Sequence, residues 1–195
     1  HLLHDIRKGT TSHQTIEVAR LCRSHGVVPE LSFMVAPPVD PEGETERTFE
    51  FIRQIKQANP EAEIIVYVYT PVPTGGVTSG ALPSRSATVL RDTQGMPVVF
   101  PQSPEEWTAP EWVDYACHAD APWLTERLRQ RIRDFVTVLR CRFPTVQDTR
   151  SPQWAKAALS GMASLRYRYR RYGNPWELNF SQRVMRLADP RATGI

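Results

Sequence analysis

Long apolar runs are missing from this chain of 195 residues; none approaches the ~20 residues a helix needs to span a bilayer. A secretory leader is missing too from the residues given, which start at His1 with no charged-then-apolar run behind it. Such a leader is still compatible with the chain if it was lost with a true N-terminus. Cysteine is sparse. Cys22, Cys117 and Cys141 are an odd set, far apart. That excludes a disulfide framework and any spaced zinc or iron–sulfur motif, and fits reduced thiols in a cytoplasmic protein. A nucleophile-elbow motif is absent, which leaves an α/β-hydrolase reading without support. There is no internal repeat or low-complexity tract. The net charge of +3 argues only weakly for an anionic partner taken whole.

What is present begins with the stretch from Val27 to Pro73. It reads as a strand over Val28 to Val35, a Pro-rich turn, an amphipathic helix over roughly Glu44 to Ala58, and a second strand over Glu63 to Thr70. Asn59-Pro60 stops the helix, and Pro37-Pro38 ends the first strand. Both strands are too apolar for a sheet with one wet face, which predicts a parallel sheet covered by helices. In such folds ligands gather at the carboxyl ends of the strands. Alternation puts Leu31, Phe33 and Val35 on one face and Glu30, Ser32 and Met34 on the other; Ile64, Val66 and Val68 likewise oppose Ile65, Tyr67 and Tyr69. The polar-bearing sets are the better candidates for an interior cavity.

Upstream, His13 to His25 is a helix candidate with Thr11 or Ser12 as N-cap and Gly26 as its stop; Ile16, Ala19 and Leu21 with Cys22 form its expected buried stripe. The stretch from Gly75 to Gly95 reads as a long surface loop, and Met96 to Phe100 as a short strand. Beyond Ser103 the style turns helical. Ser103-Pro-Glu-Glu106 and Thr108-Ala-Pro-Glu111 are capping boxes. A long helix follows over about Leu124 to Arg142, burying Leu128, Ile132, Phe135, Val136 and Leu139. Another opens at Ser151-Pro152 and runs to Tyr172, stopping at Gly173, and a last one is capped by Asn174-Pro-Trp-Glu177. These signals divide the chain into an α/β part, residues 1–102, and a helical part, residues 103–195.

The segments Lys8-Gly9, His25-Gly26-Val27, Ser32-Phe33-Met34-Val35-Ala36-Pro37-Pro38, Glu44-Thr45 and Tyr69-Thr70-Pro71-Val72-Pro73-Thr74-Gly75 occur in that order. Together they resemble the second half of a radical SAM (S-adenosylmethionine) barrel, in the subgroup that carries a cobalamin (B12)-binding domain. The resemblance covers roughly residues 5 to 75, and less specifically the helices from 96 to 190. Two departures stand out: Ala36 is where glycine is usual, and Thr74-Gly75 inverts the usual Gly-Thr order. The Cys-x3-Cys-x2-Cys loop that holds the family's [4Fe–4S] cluster is not in this chain.

The resemblance implies an α/β fold: a partial (β/α) barrel made of its last strands, followed by an α-helical C-terminal region. It implies an enzyme that cleaves SAM reductively at a [4Fe–4S] cluster and uses the resulting radical to modify a substrate, or to support methylation through cobalamin. Cluster ligands would lie in an upstream part of the same polypeptide, so this fragment alone would be inactive. Residues near the strand ends touch SAM in the family, which makes Glu30, Ser32, Tyr67 and Tyr69 candidates for lining the SAM or substrate cavity.

Other constellations have bland explanations. His13 and His25 flank one helix and suit solvent or capping. Cys117-His118 are adjacent and point different ways, which suits a turn better than a catalytic pair. The Arg-rich helices from Arg127 onward, with Trp154, Tyr167, Tyr169, Tyr172 and Trp176, suggest a rival reading: a basic helical module binding RNA or an acidic protein. Glu126, Asp134 and Glu177 interleave with the arginines, which favours a solvated helix surface over nucleic acid.

Overall fold

A computed structural model describes residues 9–37, 40–69, 103–110, 112–113, 123–144 and 153–188. Among them the order of elements is α1 (Ser12–Ser24), β1 (Glu30–Val35), α2 (Pro41–Ala58), β2 (Glu63–Val68), the single turn α3 (Pro104–Trp107), α4 (Glu126–Arg142), α5 (Gln153–Arg168) and α6 (Trp176–Ala188). The expected partial barrel is not what these residues form. Among the described residues the protein is mainly helical, with one two-stranded parallel sheet of β1 and β2. The apolar strands were over-read: β1 alternates exposed and half-buried positions until Val35, so only one of its faces is covered. The loop over 75–95, the strand at 96–100 and the Cys117-His118 turn lie outside the described residues.

Contacts divide the chain into two compact units, one of His1–Leu31, Phe49–Ile65 and Glu126–Ile195, the other of Ser32–Thr48 and Val66–Thr125. In the first, α1 starts on a capping box. The Thr11 hydroxyl accepts from the Gln14 amide, and the Gln14 side chain accepts from the Thr11 amide at 2.8 Å. The helix stops where Gly26 takes φ +67. Its buried stripe is narrower than expected: Ala19 is fully buried, Ile16 and Cys22 are half-buried, and Leu21 is exposed.

The helical trio α4, α5 and α6 packs around Leu128, Ile132, Phe135, Val138, Leu139, Leu159, Ala163 and Leu178, all buried. From α2 come Phe49, Ile52 and Ile55, also buried. The Phe49 and Phe135 rings stack with centroids 3.7 Å apart, and Tyr172 meets Phe135 edge-on at 4.9 Å. Helix α5 ends at Arg168, earlier than the expected Tyr172, because Arg170 turns left-handed at φ +57. The turn that follows is tied by the Arg166 guanidinium, which donates to the carbonyls of Arg171, Gly173 and Asn174 and pairs with Glu177.

In the second unit, Asp40 leads into α2 at φ +52, and its carboxylate accepts from the Gly43 amide at 3.1 Å. A side chain at Gly43 would push this exposed carboxylate aside and break its bond to the Gly43 amide. Arg47 bonds Asp40 at 2.6 Å and Glu44 at 2.8 Å, and these contacts hold the Asp40 carboxyl below its ordinary range.

Candidate functional site

The four expected cavity residues fall into one arrangement. The Glu63 amide donates to the Pro29 carbonyl and the Tyr69 amide to the Val35 carbonyl, a constant offset that makes the pairing parallel and fixes its register. In that register Ser32, Tyr67 and Tyr69 share one face of the sheet. Glu30, two residues upstream of Ser32 on the same strand, points to the same side by alternation. Glu30 and Ser32 are exposed, Tyr67 is 52% exposed, and Tyr69 is half-buried. Burial pushes the Tyr69 hydroxyl above its ordinary pKa, so it remains a neutral hydrogen-bonding group through the physiological range. The face therefore offers a carboxylate, a hydroxyl and two phenol rings. It can grip a ligand with hydroxyl or ammonium groups and a flat ring. By itself it has no nucleophile paired with a base.

At the carboxyl end of β1 the backbone carries strain. Ala36 is fully buried at φ +53, a left-handed conformation that favours glycine. Three contacts hold it there. The Ala36 amide donates to the buried Thr45 hydroxyl at 2.9 Å, that hydroxyl donates to the Pro41 carbonyl at 2.6 Å, and the Trp123 indole donates to the Ala36 carbonyl at 2.9 Å. The departure from the resembled motif thus coincides with a position where glycine would be cheaper. Strain of this kind next to a strand end is where ligand-contacting turns are found.

The two described cysteines do not fit a cluster. Cys22 is half-buried on α1, and Cys141 is buried on α4, where its sulfur accepts from the Gln182 amide at 3.2 Å. No group of three or more His, Cys, Asp or Glu among the described residues is placed to hold a metal ion. His13 and His25 are exposed, and the His25 Nδ1 lies 2.9 Å from the Leu21 carbonyl at the end of α1, an ordinary capping position.

Two buried polar residues, Lys56 and Asp134, and the half-buried Arg53 take inward positions that the sequence reading did not expect. Lys56 is 4% exposed; its ammonium donates to the carbonyls of Ala62 at 2.6 Å and Pro60 at 3.0 Å and sits over the Phe143 ring. Burial lowers its pKa to about 8. Asp134 is 5% exposed and accepts from the Gln130 side chain and the Asn174 amide, both at 2.8 Å. Arg53 donates to the Tyr172 hydroxyl at 2.8 Å and lies over the Tyr167 ring. The signal for Lys56 was available: it falls on the same helical face as Ile52, Ile55 and Asn59. These groups close helix ends and turns, which makes them structural.

An open groove of about 700 Å³ runs between α1 and α2, lined by Ile16, Arg20, Arg23, Ser24, Gln54 and Gln57 among others. Arg20 pairs with Glu17, and Arg23 reaches the Ala58 carbonyl at 3.3 Å, so both guanidinium groups are already engaged. No described helix is long and apolar enough to cross a membrane. No family model matches the chain, and no curated protein or solved structure matches it either.

Proposed function

We propose that the chain is the C-terminal part of a radical SAM enzyme, in which the face bearing Glu30, Ser32, Tyr67 and Tyr69 contacts SAM or the substrate. The observation that supports this reading is the grouping of those side chains on one face, beside a strained strand end. The described residues do not suit a [4Fe–4S] cluster, so its ligands would come from outside them. When bound, SAM would supply the radical precursor, and cobalamin would serve only if the reaction is a methylation. This chain's own residues then bind and orient. The Ser32 hydroxyl and the Glu30 carboxylate accept hydrogen bonds from ribose hydroxyls or the amino-acid ammonium, while the Tyr67 ring offers an apolar plate to a flat base.

The rival reading as a basic module for RNA or an acidic protein has less to rest on. Arg129 and Arg133 pair with Glu126, Arg166 with Glu177 and Arg170 with Glu50. Equilibrium dialysis of the chain against labelled SAM tests the proposal. Weak saturable binding, with Kd on the order of 1 mM, is expected, and Ser32→Ala or Tyr67→Ala should weaken it several-fold. Binding that neither substitution alters, or none at ~5 mM SAM, would remove the reading.

A further inference from the structure

The outward face of α5 is apolar and is left uncovered among the described residues. Its inward side is buried at Leu159 and Ala163, while the opposite side carries Trp154, Ala158, Gly161, Met162, Leu165 and Tyr169. Trp154 is 74% exposed, Leu165 63% and Tyr169 64%. Solvated helix faces are normally polar, yet the described residues of this face from Trp154 to Leu165 carry no charge, and the first charged one among them is Arg168. Gly161 sharpens the point. A glycine inside a helix costs stability, and a Cβ added there would meet nothing within 4 Å, so nothing among the described residues requires a bare backbone at that position.

We infer that this face is where a second copy of the chain docks, α5 against α5 in antiparallel fashion about a two-fold axis near Gly161. The stripe from Trp154 to Tyr169 has its midpoint at Gly161 and Met162, so it is self-complementary. Antiparallel pairing sets Trp154 against Tyr169 of the second copy and Ala158 against its Leu165. Gly161 meets Met162 of the second copy across the axis, where the bare backbone leaves room for the methionine side chain. Arg168 also comes over the Trp154 ring of the other copy as a cation–π contact. The exposed apolar area is on the order of 500 Å² per chain, or ~1,000 Å² for the pair, about where a specific but weak interface begins. An acidic amphipathic helix would suit a face with arginines along its length, but the described residues at the centre of this face are uncharged.

Sedimentation of the whole chain from ~5 to ~500 µM tests this. The wild type should move from 22.2 kDa toward twice that mass. Gly161→Glu should stay monomeric throughout, with helical circular dichroism no lower than the wild type, because the site is open in the single chain. Trp154→Ala, at an equally exposed position, should weaken association without touching the fold, and Arg168→Ala should weaken it about 3-fold. A wild type that remains monomeric at ~500 µM, or a dimer that both Gly161→Glu and Trp154→Ala leave unchanged, would overturn the inference. Tighter association of Arg168→Ala would mean the helices run parallel with their arginines opposed, and would overturn the antiparallel arrangement.

Discussion

The helices α4 to α6 and the strand-end segment of the second unit handle their polar groups in opposite ways. Among the helices, polar side chains that go inward are used up on the protein itself. Asp134 takes two donors, Arg166 serves three carbonyls and a carboxylate, and Lys56 in the same unit closes the end of α2. At the strand end, Ser32 and Tyr67 face outward, while the fixed contacts go to a strained backbone at Ala36. The first pattern resists change and the second is left available to a ligand. Stability and binding are therefore expected to separate on mutation.

The largest effect should come from the aromatic core. Phe135→Ala removes the ring stacked on Phe49 and should cost about 3–5 kcal/mol in chemical denaturation. Asp134→Ala should cost about 2 kcal/mol by the same measure, because the Asn174 amide loses its partner at the start of α6. Ala36→Gly should act in the other direction and raise stability by about 1 kcal/mol, since glycine adopts φ +53 without a Cβ clash. A loss of stability in that variant would show that the turn is not strained. Ser32→Ala should shift stability by less than about 0.5 kcal/mol while weakening SAM binding, which is the separation in its purest form.

Lys56 adds a pH dependence to the first unit. Its folded pKa, about 8, lies below the ordinary 10.5, so between those values the unfolded chain holds more protons than the folded one. Stability contributed by this group therefore rises with pH from 8 upward. Tyr167 and Tyr172, raised by burial, act in the opposite sense and only above about pH 10. Urea melts between pH 8 and 9.5 should show the rise in the wild type and a flatter profile in Lys56→Met.

Much of the helical architecture was legible in the sequence because its signals are local. Thr11 as N-cap, Ser103 with Glu106, Gly26 and Asn59-Pro60 all act within a turn of the ends they mark. The spacing of Leu128, Ile132, Phe135 and Leu139 likewise follows from helical periodicity. The sheet was not legible to the same degree. An apolar strand carries no record of how many neighbours it has, and β1 and β2 were read as members of a larger barrel. The left-handed turn at Arg170 was missed because arginine gives no hint of positive φ. The faces of Glu30, Ser32, Tyr67 and Tyr69 follow from alternation alone, whereas their gathering on one side of the sheet needed the register.

The most direct test of the separation is a ¹H–¹⁵N NMR titration of the chain with SAM. The account predicts shifts confined to residues around Glu30 to Ala36 and Tyr67 to Tyr69, with the amides of α4 to α6 unmoved. Shifts centred on the helices, or none at ~5 mM ligand, would contradict it.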